Sequence, residues 1–70
     1  MIVIKTRALR LLMAERGYST QRALAAELGV KESYLSQLFS GKRTPSLATV
    51  DRLCYALDCQ PGELLEHVRP

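Results

Sequence analysis

Residues 20–43, Thr-Gln-Arg-Ala-Leu-Ala-Ala-Glu-Leu-Gly-Val-Lys-Glu-Ser-Tyr-Leu-Ser-Gln-Leu-Phe-Ser-Gly-Lys-Arg, decide the fold. Thr20 is a good N-cap, and Leu24, Ala25 and Leu28 share one face of the helix that follows, Gln21–Leu28. Ala25 is small where two helices must approach closely. Gly29 supplies the positive φ that ends this helix and reverses the chain, and Val30 turns into the core. The pattern predicts a second helix over Lys31–Ser40, with Leu35 and Leu38 inward and Phe39 widening the apolar stripe. Gly41-Lys42-Arg43-Thr44-Pro45 then reads as a loop with two adjacent cations.

The rest of the chain gives more short helices. Downstream, Ser46 caps a helix over Leu47–Leu57, with Leu47, Val50, Leu53, Cys54 and Leu57 on one face. Cys59 follows at an apolar position. Pro61 suits the first position of a last short helix, Glu63 favours its first turn, and Leu64 and Leu65 give it an apolar side. Upstream, Thr6 reads as the cap of a helix over Arg7–Arg16, stopped by Gly17. Its Leu9, Leu12 and Met13 point one way, and Leu11 lies off that face. The β-branched run Ile2-Val3-Ile4 predicts a short strand or extended arm within residues 1–5. The expected architecture is all-α: a compact five-helix bundle with an N-terminal arm, one domain over residues 1–70.

Seventy residues allow one small core and little room for a catalytic cleft. Ten Lys and Arg against seven Asp and Glu give +3, and the pI is near 9.2. That balance suits a polyanionic partner. The longest apolar run, Met1–Ile4, is too short for a membrane span or a signal peptide, so the expected compartment is the cytosol. Cys54 and Cys59 read as buried apolar residues, and the one histidine, His67, adds too few ligands for a metal site. No nucleophile has a base at informative spacing and no glycine loop cradles phosphate. Neither an enzyme nor a cofactor is therefore expected.

The outward face of the second helix in the opening stretch carries Glu32, Ser33, Tyr34, Ser36 and Gln37. These are short polar arms rich in hydrogen-bonding groups, the chemistry that reads base edges, whereas long flexible charges grip phosphates without discrimination. Two helices crossing at a glycine turn over residues 20–40 form a helix-turn-helix, which puts one helix in a DNA major groove.

The chain resembles the Cro and phage-repressor (XRE-like) helix-turn-helix family over about residues 7–66. The resemblance rests on Gln21-x-x-Leu24-Ala25, Leu28-Gly29-Val30, Leu35-Ser36-x-Leu38 and Gly41-Lys42-Arg43. Pro45-Ser46-Leu47 and Leu53-Cys54-x-Ala56-Leu57-x-Cys59-x-Pro61-x-Glu63-Leu64 extend it. It implies a lambda-repressor-like fold and a small transcriptional regulator of the bacterial or phage cytosol that binds double-stranded DNA. Carried onto matching positions, it implies that Glu32, Ser33 and Gln37 face bases, with Tyr34 beside them. Thr20, Gln21, Ser36, Lys42 and Arg43 are the expected phosphate contacts, helped by the N–H groups at the helix N-terminus.

Three departures stand out. Between the first two helices there is one residue more than the family usually has, at Ser19 or Thr20. Met13 and Phe39 occupy positions where many relatives carry an Arg and a Glu, so an apolar contact between them is expected in place of an ion pair. Lys31 stands where relatives place a Ser or Thr cap, so the recognition helix begins without one.

One copy has too small a footprint for tight binding, and a homodimer on a two-fold related site is expected. The candidate interface is Ile2, Val3, Ile4 and Leu11, with Leu65 and Val68. The alternative is that the arm folds back on its own domain. A second functional class stays open: a protein-interaction module, antitoxin-like or adaptor, with another protein as partner.

Overall fold

Hydrogen bonds from side chains to backbone set the helix boundaries in the computed structural model, which describes residues 1–69. Thr20 Oγ1 accepts from the Ala23 N–H at 3.1 Å and starts α2, Gln21–Leu28. Gly29, at φ 70°, ends it. Ser46 Oγ accepts from the Thr49 N–H at 3.1 Å and starts α4, Leu47–Leu57. Between them lies α3, Glu32–Phe39, whose cap position, Lys31, gives no side-chain bond. The expected bare start of this helix is what the chain adopts.

Ahead of these, α1 spans Thr6–Glu15. Thr6 is the first helical residue rather than the cap, because its hydroxyl donates to the Phe39 carbonyl at 2.9 Å. That bond ties the start of α1 to the end of α3. After α4 comes α5, Pro61–Leu64, whose Glu63 Oε2 accepts from the Gln60 N–H at 2.6 Å.

The arm forms strand β1, Ile2–Ile4, and pairs antiparallel with β2, Leu65–His67, of the same chain. Ile4 lies opposite Leu65 and Ile2 opposite His67. The ladder is prolonged at its open end, where the Val68 N–H donates to the Met1 carbonyl at 2.8 Å. This corrects two expectations. Leu65 belongs to a strand, not to the apolar side of the last helix. Val3 and Ile4, expected between copies, are buried within the chain. The bundle of five helices therefore carries a small two-stranded sheet.

Leu9, Leu24, Leu35, Leu38, Leu53, Leu57 and Leu64 are fully buried, one or more from every helix. Met13 and Phe39 both lie in this core, where uncharged side chains avoid the desolvation that a buried ion pair incurs. Leu47 departs from its expected inward position and is 87% exposed. It is the first residue after the cap, at the margin of the α4 stripe. Cys54 and Cys59 are half-buried free thiols, where both were expected buried. No helix among the described residues is long and apolar enough to cross a membrane.

Candidate nucleic-acid interface

Once α3 buries Leu35, Leu38 and Phe39, helical spacing fixes what faces outward. Glu32, Ser33, Ser36 and Gln37 are all exposed. Glu32 sits in the first turn, where its carboxylate offsets the missing cap by facing the positive helix end. Its Oε1 lies 4.0 Å from Arg22 Nε on α2, a contact between exposed groups worth little to stability.

Tyr34 is placed differently from its expected position beside the base readers. It is half-buried, and its hydroxyl lies 3.1 Å from Thr49 Oγ1 and accepts from the Ser46 N–H at 3.4 Å. The side chain thus fastens α3 to the capped start of α4. Burial alone would raise the pKa of this phenol. The bonds with Thr49 and Ser46, helped by the Arg43 charge, outweigh it and bring the pKa below the ordinary tyrosine value.

Arg43 packs on the outer side of the same ring, its guanidinium 5.1 Å from the centroid. From there its Nη1 donates to Gln37 Oε1 at 3.0 Å. The loop is folded toward Gln37 by its backbone: Gly41 takes φ 74°, and the Lys42 N–H donates to the Gln37 carbonyl at 3.1 Å. Lys42 itself is exposed beside it.

On the other flank, Ser36 Oγ donates to Gln21 Oε1 at 3.0 Å. Ser36, an expected phosphate contact, thereby joins α3 to the first residue of α2 while staying exposed. Gln21 keeps its amide N–H groups free of that bond, next to the α2 N-terminus capped by Thr20. The structure therefore brings Thr20, Gln21, Ser36, Glu32, Ser33, Gln37, Lys42 and Arg43 to one side of the helix pair and turns Tyr34 into their support.

Several participants escaped sequence reasoning. Thr49 and Arg22 meet this surface only through partners distant in sequence. Arg52 Nη1 donates to the Leu28 carbonyl at 3.1 Å and satisfies the end of α2. The Arg10 guanidinium lies 5.1 Å over the Phe39 ring. Only the spacing of Thr49 after the Ser46 cap offered a local signal.

Residues 8–70 match the family of Cro/C1-type HTH DNA-binding domains. The uncharacterized HTH-type transcriptional regulator YozG of Bacillus subtilis (strain 168) is 37% identical over 57 residues, which is 80% of this chain and 67% of that protein. The fold is similar to the restriction-modification controller protein C.AhdI of Aeromonas hydrophila, with TM-score 0.69, 34% identity, and 83% of this chain and 86% of that one covered. A crystal structure from Bacteroides fragilis superposes with TM-score 0.73 at 27% identity, over 94% of this chain and 100% of that one. With its helix-turn-helix at Gln21–Phe39 and that match over nearly its whole length, the chain belongs to the Cro/C1-type helix-turn-helix DNA-binding domains and is a transcriptional regulator of that kind.

Proposed function

We propose that α3 enters the major groove of double-stranded DNA and reads sequence there, with two copies on a two-fold related site. The observation that carries this reading is the exposed polar edge Glu32, Ser33, Gln37, with Lys42 and Arg43 on one flank and the start of α2 on the other. Polar side chains at the centre supply discrimination, and cations at the margin supply affinity by neutralising phosphates. Gln21 and the free N–H groups of α2 suit a phosphate on the near strand. Lys42, and the donors of Arg43 not used on Gln37, suit phosphates across the groove.

Glu32 fits a cytosine amino group and repels the acceptor-rich edge of guanine. Half-sites about 34 Å apart place both recognition helices on one face of the duplex. Of the residues expected to join the copies, Ile2, Leu11 and Val68 are exposed and can serve, at 38%, 61% and 45%.

Selection of bound sequences from random duplex DNA, followed by salt titration, tests the reading. A two-fold related consensus and steep salt dependence are expected. Binding without sequence preference, or none at low salt, would reject it in favour of a protein-interaction module.

A further inference from the structure

We infer that Arg43 is a positioning residue that sets the base preference of Gln37, turning it from an adenine reader into a guanine reader. The inference rests on the reading that α3 meets base edges and names what one of its side chains selects.

The argument begins with donor chemistry. A guanidinium carries only donors, so the amide atom that meets it must be the oxygen. Arg43 Nη1 lies 3.0 Å from Gln37 Oε1, which orients the amide with its oxygen toward Arg43 and leaves both Nε2 hydrogens free to donate. Arg43 is itself held, because its guanidinium rests 5.1 Å over the Tyr34 ring and the Tyr34 hydroxyl is fixed 3.1 Å from Thr49 Oγ1. The Gln37 carbonyl accepts from both the Lys42 N–H and Ser40 Oγ, so the backbone under the side chain is fixed too. A continuous series of contacts thus runs from the start of α4 through Tyr34 and Arg43 to the amide.

A free glutamine reads adenine by accepting from the N6 amino group while donating to N7. With Arg43 on one of its oxygen's two lone pairs, Gln37 keeps both Nε2 donors and a single acceptor site, so donation outweighs acceptance. Guanine presents two acceptors, N7 and O6, in the major groove, and adenine presents one acceptor beside a donor. The nearby guanidinium charge adds to the preference for the acceptor-rich edge. Unused donors on Arg43 remain for a phosphate, so holding Gln37 and gripping the backbone are compatible.

The test uses the purified full chain and duplex selection with the wild type, Gln37→Ala, Arg43→Ala and Lys42→Ala. The position read by Gln37 is the one whose preference Gln37→Ala erases. Affinity is then compared on duplexes carrying guanine or adenine there. Wild type is expected to favour guanine by about tenfold, the discrimination typical of one base contact. Arg43→Ala is expected to bind both duplexes more weakly and to lose or reverse the preference toward adenine. Lys42→Ala is expected to weaken both alike and leave the ratio unchanged.

A wild type that selects any other base at this position, or an Arg43→Ala variant that keeps the guanine ratio, overturns the inference while the helix reading stands. If Gln37→Ala erases no position, the assignment of Gln37 as a base reader fails instead.

Discussion

Tyr34 Oη lies 3.1 Å from Thr49 Oγ1, and through this contact the recognition helix is braced against the helix that follows it. Tyr34→Phe keeps the ring, with Arg43 over it, and removes only the hydroxyl. Thr49 Oγ1 retains its 2.9 Å partner, Ser46 Oγ, and the Ser46 N–H, which loses its long 3.4 Å acceptor, belongs to an exposed residue that water can reach. The expected loss is therefore that of a modest hydrogen bond, about 1 kcal/mol. Urea unfolding of the two proteins measures it, and an equal midpoint would show that the contact carries no stability.

The start of α3 offers the opposite experiment. Lys31 already has the extended backbone of a cap, φ −72° and ψ 143°, but its side chain cannot accept from the free N–H groups. Lys31→Ser supplies the oxygen without moving the chain and removes a cation from the positive end of the helix. A gain of about 0.5–2 kcal/mol is expected in chemical denaturation. Faster amide exchange in the first turn of the serine variant would contradict it.

These two sites show why some features were legible in the sequence and others were not. Caps and reversals are local, so Thr20, Gly29 and Ser46 announced themselves, and so did the missing cap at Lys31. Helical spacing located the inward leucines and the outward polar edge. Leu47 misled because periodicity assigns a face but cannot tell whether anything packs there, and at the first position of α4 nothing covers it. The strand Leu65–His67 has no signal of its own and exists because β1 lies beside it. Tyr34 was misplaced for a related reason. Ser33 before it faces outward and Leu35 after it faces the core, and the distant pair Ser46 and Thr49 draws its hydroxyl inward. The orientations of Gln21 and Gln37 depend on Ser36 and Arg43, contacts that sequence spacing permits but does not specify.

The end of α4 carries a pH-dependent element. The Cys59 N–H donates to the Cys54 carbonyl at 3.1 Å across Asp58, which adopts φ 51°. The turn brings the two half-buried cysteines together. Burial, with Cys54 alongside, pushes the Cys59 thiol up from 9.0 to about 11. Folding therefore favours the neutral thiol. Its contribution is complete below pH 9 and is lost as pH rises through about 11. The melting-temperature advantage of wild type over Cys59→Ala should shrink over that interval, and alkylation at neutral pH should be slow. An advantage that stays constant across the interval would refute the assignment.

The arm gives the most direct separation of folding from association. Ile4 is 3% exposed and pairs with Leu65 of its own chain, and the neighbouring Lys5 N–H donates to the Leu64 carbonyl at 2.6 Å. Ile4→Ala should therefore act as a core truncation, costing about 2–5 kcal/mol in unfolding free energy. Leu11, 61% exposed, contributes little to the core, so Leu11→Glu should leave stability within about 0.5 kcal/mol. If Leu11 lies between two copies, the added charge should lower the mass measured in solution at fixed concentration. Sedimentation and urea unfolding on both variants distinguish the roles. Were Ile4→Ala to dissociate a dimer with unfolding unchanged, the arm would have to pair between molecules and not within one.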